Sequence, residues 1–294
     1  MMNAVIADTD YKQPIYSIEF NIYGTGAVIK LNDIPVHVNE ATGQTSAEKP
    51  VPESIVDGKN ILAIKTFPLE EDGGKYQPGA YAEAVLSIRE KDAPLNQNKP
   101  LLQIKVNPTE SEEKIFYGTI RETGDSEPKL LSHSEKSLVA GRAVNISSPF
   151  PRWAWQDGQK IEKTKDEFIS LVKKYKEVWE ALKSENMTRI KSFYDPAAKE
   201  FAKAYHYDDI SQGHKIMNTG GMIEESDWVL GDINKFLKKR KYTIKVYANG
   251  KMAEVVDTQD YKSPIMYLNP KTRLISFQKF GFYKNQKGEW VMIR

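Results

Sequence analysis

The chain contains no cysteine and only four histidines among its 294 residues. The missing thiols exclude disulfides, thiolate catalysis and cysteine-ligated zinc or iron–sulfur centres. They leave both the cytoplasm and an oxidising envelope open. No segment approaches the run of roughly 20 apolar residues that a membrane-crossing helix needs. Met1 to Asp8 has neither the basic region nor the apolar stretch of a signal peptide. A mature chain with an added starting Met remains compatible with a processed secretory or lipidated segment. Dense basic blocks are missing too. The strongest, Lys238 to Lys241 beside Tyr242, is explained by helix termination and solubility, so no nucleic-acid partner is expected. Asn218-Thr219-Gly220-Gly221-Met222 lacks the Lys-Ser/Thr ending of a phosphate-binding loop. The acidic Glu70 to Gly74 loop lacks the alternating ligands of an EF-hand and reads as solvated, as do Glu110, Glu112 and Glu113.

What is present is a change of character near residue 150. Residues 1–150 carry 15 Lys and Arg against 21 Asp and Glu, a formal charge of −6; residues 151–294 carry 27 against 19, or +8. Forty per cent hydrophobic and 28 per cent charged residues suit a folded chain long enough for two cores. The expected architecture is two-domain: an all-β antiparallel sandwich over 1–148, a linker over 149–161 around Ser147-Ser148-Pro149-Phe150-Pro151, and an α+β domain over 162–294.

In the acidic half, Ile15 to Tyr23 has strand composition, with Ile18, Phe20 and Ile22 on one face. Ala27 to Leu31 and Ile34 to Val38 form a hairpin around Asn32-Asp33, a favourable turn pair. Further strands are expected at Ile61 to Phe67, Ala82 to Ile88, Leu101 to Val106 and Ile115 to Ile120. His37 alternates with Val36 and Val38, and His133 sits among polar residues; both read as surface or packed histidines. The phrases “IKLNDIPV” and “VPESIVDGKNILAIKTF” resemble small immunoglobulin-like or carbohydrate-binding-type sandwiches, which implies a hairpin followed by a core strand.

The basic half opens with a helix over Lys165 to Lys183. Thr164 can cap it and Glu167 can close a capping box. Phe168, Leu171, Val172, Tyr175, Val178, Trp179 and Leu182 make its apolar stripe. Two short helices follow, one from Asn186 and one restarting at Asp195-Pro196, where Asp can cap and Pro loses no hydrogen bond. Strands are expected at Tyr242 to Tyr247, Met252 to Val256, Pro264 to Leu268, Arg273 to Tyr283 and Trp290 to Ile293, with Asn249-Gly250 as a turn. The pieces “FISLVKKYKEVWEALKSENMTRIKSFYDP” and “RLISFQKFGFYKNQKGEWVMI” resemble the nuclear-transport-factor-2-like (SnoaL-like) superfamily. That resemblance implies a cone of helices packed on one curved antiparallel sheet, and a pocket rather than a particular activity.

The best chemical cluster is His206, Asp208, Asp209 and His214. Convergence of His206 with Asp209 or His214 would give an acid–base pair in which the carboxylate orients the imidazole. Helix capping and local polar roles compete with that chemistry, and catalysis is not expected. Trp153 and Trp155 alternate beyond the prolines and read as an interdomain wedge or a lid over a core. With Trp179, Tyr205, Phe277 and Phe280 they are the ligand or interface candidates. No cofactor and no metal site is expected.

A non-catalytic, protein-binding envelope protein is the leading functional expectation, as an immunity or accessory factor of a bacterial secreted toxin system. Its basis is the joined sandwich and helical-sheet domains, the aromatic junction and the missing catalytic motif; the immunity role is an analogy to two-domain bacterial inhibitors. The expected location is periplasmic or extracellular, with a lipid anchor if a processed segment supplied one. The alternative is a small-molecule-binding or hydrolase/isomerase-type cone domain, with Trp179, Tyr205, Phe277 and Phe280 lining an open cavity.

Overall fold

The computed structural model describes residues 5–7, 11–109, 115–116, 128–134, 137–225 and 227–294. Glu110, Glu112, Glu113 and the end of the expected strand beyond Phe116 lie outside the described residues, as do Met1 to Ala4, Asp8 and the side chain of His133. The chain divides into two compact units, Met1–Arg152 and Trp153–Arg294.

The first unit is built from strands β1 (Val5–Ala7), β2 (Pro14–Tyr23), β3 (Gly26–Leu31), β4 (Ile34–Asn39), β5 (Gln44–Pro50) and β6 (Gly58–Phe67), followed by β7 (Tyr81–Glu90), β8 (Lys99–Val106), β9 (Ile115–Phe116), β10 (Lys129–Ser134) and β11 (Ser137–Ser147). Among the described residues they form two sheets, in the orders β1-β11-β6-β3-β4, with β10 also on β11, and β5-β2-β7-β8-β9. Every pairing is antiparallel except β1 on β11. These eleven strands exceed the seven of a constant-type immunoglobulin domain, and β11 lies beside β6, five strands earlier in the chain.

Period-two burial explains the packing. Ile18, Phe20 and Ile22 of β2 are buried on one face, as are Leu62 and Ile64 of β6 and Leu138, Ala140, Val144 and Ile146 of β11. Arg142 shares that last face, buried, and donates to the Gln103 carbonyl of β8 at 3.2 Å. The β3–β4 turn places Asn32 and Asp33 at φ 54° and 64°, the two positive values a tight hairpin needs. Asn32 then donates to Asn60 Oδ1 (2.8 Å) and the Ser54 carbonyl (2.9 Å), fixing the hairpin against the start of β6. His37 packs against Phe20, ring centroids 4.2 Å apart.

The second unit begins with helices α1 (Lys165–Lys183), α2 (Met187–Ala204), α3 (Ile210–Ile216) and α4 (Gly221–Glu224), then β12 (Val229–Leu230), α5 (Ile233–Lys239), β13 (Tyr242–Tyr247), β14 (Met252–Asp257), β15 (Met266–Leu268), β16 (Ile275–Phe277), β17 (Phe282–Lys284) and β18 (Trp290–Met292). Among the described residues no helix is long and apolar enough to cross a membrane. Thr164 caps α1 by accepting from the Glu167 N–H at 3.2 Å. The Glu167 carboxylate does not close a capping box; both oxygens bind Lys284 Nζ, at 2.7 and 2.9 Å. From α1, Leu171, Tyr175, Val178, Trp179 and Leu182 enter a core with Ile244, Val255, Phe282 and Met292. Such burial stabilises by roughly 1.5–3 kcal/mol per large side chain.

The expected pair of short helices is one helix. Pro196 lies inside α2, where a proline costs about 3 kcal/mol. Ile190 before it and Ala197, Ala198 and Ala202 after it are all buried, so packing on both sides of the proline offsets that cost.

The expected cone on a single curved sheet is overturned. The strands divide between a four-stranded sheet, β13-β14-β17-β18, and a separate three-stranded sheet, β12-β15-β16, and neither is closed or strongly curled. The nuclear-transport-factor-2-like resemblance therefore fails at the level of the fold. Its failure has a local cause. Arg273 to Tyr283 was expected to run as one strand, but Gln278 to Gly281 breaks it. There the Phe280 carbonyl accepts from the Tyr175 hydroxyl at 3.0 Å, and Gly281 exchanges backbone bonds with Arg294. A Cβ on Gly281 would lie 2.3 Å from Tyr247 Oη. The chain leaves one sheet at Phe277 and enters the other at Phe282.

Candidate functional site

Within the expected histidine–aspartate cluster, Asp209 and His214 each bond to other partners. Asp209 caps α3: its Oδ1 accepts from the Ser211 N–H at 2.9 Å and its Oδ2 from the Ser211 hydroxyl at 2.6 Å. Those two bonds, the hydroxyl's first, hold its carboxyl below the usual range. His206 stands just past the end of α2 at φ 57°, where the Tyr207 N–H reaches back to the Ala202 carbonyl at 2.8 Å and the His206 N–H to Lys203 at 3.1 Å. This is a helix-terminating motif with histidine in the left-handed position that glycine usually fills.

His214 instead meets Asp195. Its Nε2 lies 3.0 Å from Asp195 Oδ1, and its Nδ1 lies 3.2 Å from the Thr219 hydroxyl. Sequence reading gave Asp195 a capping role and missed this pair, because 19 positions separate partners that only helix packing brings together. The packing depends on Gly213, where a Cβ would lie 1.9 Å from the Ala198 carbonyl oxygen of α2. A carboxylate, an imidazole and a hydroxyl in series can hold or pass a proton. Both ring nitrogens are already occupied, however, and His214 is buried. Among the described residues no three His, Asp or Glu side chains gather in a metal-binding group.

The aromatic candidates separate. Trp153 and Trp155 are buried around a short 3₁₀ turn, Ala154–Asp157. The Ala154 N–H donates to Glu200 Oε1 at 2.7 Å, and Gln159 and Ile161 bond to the Lys284 and Gly250 carbonyls. Trp155 Nε1 is buried without a hydrogen-bond partner among the described residues. Trp179 packs in the core and donates to the Gly231 carbonyl at 2.7 Å. Tyr205 stacks on Phe201, centroids 6.2 Å apart.

Of the four expected cavity residues, Phe280 lines a cavity of about 380 Å³ bounded by α1, α2, the α3–α4 region, β15 and the β16–β17 crossing. Tyr194, Tyr267, Met217 and Met222 line it as well, with Lys279 and Arg294 among its polar groups. Burial pushes the Tyr267 phenol up to about 12, with Glu185 adding to the shift. Burial raises Tyr194 further, with Tyr267 contributing. A wider groove of about 540 Å³ lies between α1, α2 and β18, lined by Lys173, Lys174, Glu177 and Phe193. Neither space is lined by His214, Asp195 or Thr219.

Phe277 belongs to a different surface. In the three-stranded sheet Val229 pairs with Leu268 and Leu268 with Ile275, so these side chains form a row on one face. Val229 is 57 %, Leu268 40 % and Ile275 50 % exposed. Met266 and Phe277, the next pair along, extend the row and are half-buried. Leu274, 60 % exposed, adjoins it. The opposite face turns Leu230, Tyr267 and Ser276 inward. Sequence reading isolated Phe277 but not the row, since the register that aligns three strands is a tertiary property. Comparison with family models, with curated proteins and with solved structures gives no match to this chain.

Proposed function

We propose that this is a non-catalytic protein-binding protein that meets its partner through the outer face of the β12-β15-β16 sheet. The observation that carries the proposal is the exposed cross-strand row Val229–Leu268–Ile275, flanked by Leu274. Three paired aliphatic side chains directed at solvent are what a docking face presents, and what a solvated face avoids. The sheet also offers short outer strands, β12 and β16, as main-chain partners. The polar cluster favours a structural role alongside this one, since Asp209 caps a helix and His214 is enclosed by Asp195 and Thr219.

Within this proposal the protein acts at the bacterial envelope, periplasmic or extracellular, as an immunity or accessory factor of a secreted toxin system. That part rests on the analogy to two-domain bacterial inhibitors. The experiment is affinity capture from envelope fractions, comparing the unchanged protein with a Leu268→Asp/Ile275→Asp variant whose circular dichroism is unchanged. A protein enriched by the first and lost from the second supports the proposal. Failure to enrich any protein, or equal capture by both, ends it.

A further inference from the structure

Two phenols, Tyr194 and Tyr267, line the 380 Å³ cavity. Tyr267, only 3 % exposed, and Tyr194, on α2, both line the space, and neither hydroxyl makes a hydrogen bond among the described residues. Neither hydroxyl is sealed in protein, so the two present hydrogen-bond donors to whatever enters the cavity. Both phenols are protonated, and thus donors, at neutral pH, and burial raises their pKa values further.

The remaining walls narrow the chemistry. Phe280 and Leu182 provide flat and branched apolar surface, while Met217 and Met222 provide thioether chains that adapt to an irregular guest. Among the described residues no carboxylate lines the cavity. Two cations do: Arg294 is already paired with Glu200 at 3.3 Å, whereas Lys279 is exposed and has no ion-pair partner among the described residues. The volume lies toward the small end of the range for small-molecule sites, about 300–1,000 Å³. We propose that this cavity binds a small amphipathic anion, with an apolar body held between Phe280 and the methionines and one acid group bonded by Tyr194 and Tyr267 beside Lys279. The site is distinct from the proposed docking row, since Tyr267 and Leu268 point to opposite faces of β15.

The test uses the full chain with the fluorescent anion anilinonaphthalene sulfonate and its neutral counterpart N-phenyl-naphthylamine. We expect one site that prefers the anion. Tyr194→Phe and Tyr267→Phe remove one donor each and should each weaken the anion by roughly two- to twelvefold, the range for a lost hydrogen bond. Lys279→Glu should weaken the anion and leave the neutral probe unchanged. Ile223→Trp, which fills the cavity from α4, should abolish both, with circular dichroism confirming the fold. The Leu268→Asp/Ile275→Asp variant should bind the anion as the parent does. Anion affinity unchanged in both phenylalanine variants overturns the proposal, as does probe binding lost only in the sheet-face variant. Equal affinity for the two probes overturns the assignment of an anion, and no binding of either overturns the site.

Discussion

Removing the hydroxyl of Tyr175 should destabilise the second unit far more than its one atom suggests. The side chain projects from the middle of α1 and is 1 % exposed. Its hydroxyl donates to the Phe280 carbonyl at 3.0 Å and accepts from the Val255 N–H at 3.1 Å. Neither backbone group has a ready substitute. Strand β14 pairs with β17 only through Met252 and Ala253, so Val255 lies beyond that ladder, and Phe280 sits in the break between the sheets. Tyr175→Phe leaves both groups buried and unpaired. Each orphan costs about 1–3 kcal/mol, so with partial relaxation the loss should be about 2–4 kcal/mol. All five tryptophans lie at or after residue 153, so tryptophan fluorescence during urea unfolding follows the second unit alone. With a slope near 2 kcal/mol per molar urea, the midpoint should fall by about 1–2 M at unchanged slope. A loss below about 0.5 kcal/mol would refute the bridging role.

Glu185→Gly should stabilise the second unit by about 0.5–1 kcal/mol. It relieves a left-handed φ of 53° and removes a carboxylate from the negative end of α1, and a lower urea midpoint would contradict this. Gly213→Ala should cost more than about 3 kcal/mol or prevent folding, because its methyl would meet the Ala198 backbone; near-neutral thermal unfolding would show that α3 is not packed as described. Alkaline pH should weaken the second unit first. Burial raises the phenols of Tyr175, Tyr194, Tyr247 and Tyr267 in the folded state, so their contribution is complete below the unfolded value near 10. It declines above pH 10, and for Tyr267 it is lost through about 12, by about 1.4 kcal/mol per pH unit for each group titrating only in the unfolded chain. Stability by tryptophan fluorescence that stays flat from pH 9 to 11.5 would contradict those shifts.

Short-range pattern determined much of the local structure. The caps of Thr164 and Asn186, the stripe from Leu171 to Leu182 and the Asn32-Asp33 hairpin follow from positions a few residues apart, where sequence spacing is spatial spacing. Strand β11 escaped detection because Gly141 and Arg142 interrupt its apolar alternation, although Arg142 is buried with its neighbours. The remaining features were decided by tertiary structure alone. Glu167 chose Lys284, 117 positions away, over the cap, and Asp195 chose His214 over starting a helix. The break between β16 and β17 carries two such long-range contacts, Tyr175 with Phe280 and Gly281 with Arg294. The exposed apolar row and the cavity exist only because three strands align in register and two tyrosines from distant segments share a wall. A sequence specifies which faces are apolar, whereas the partner that covers a face, or leaves it open, is set by long-range packing.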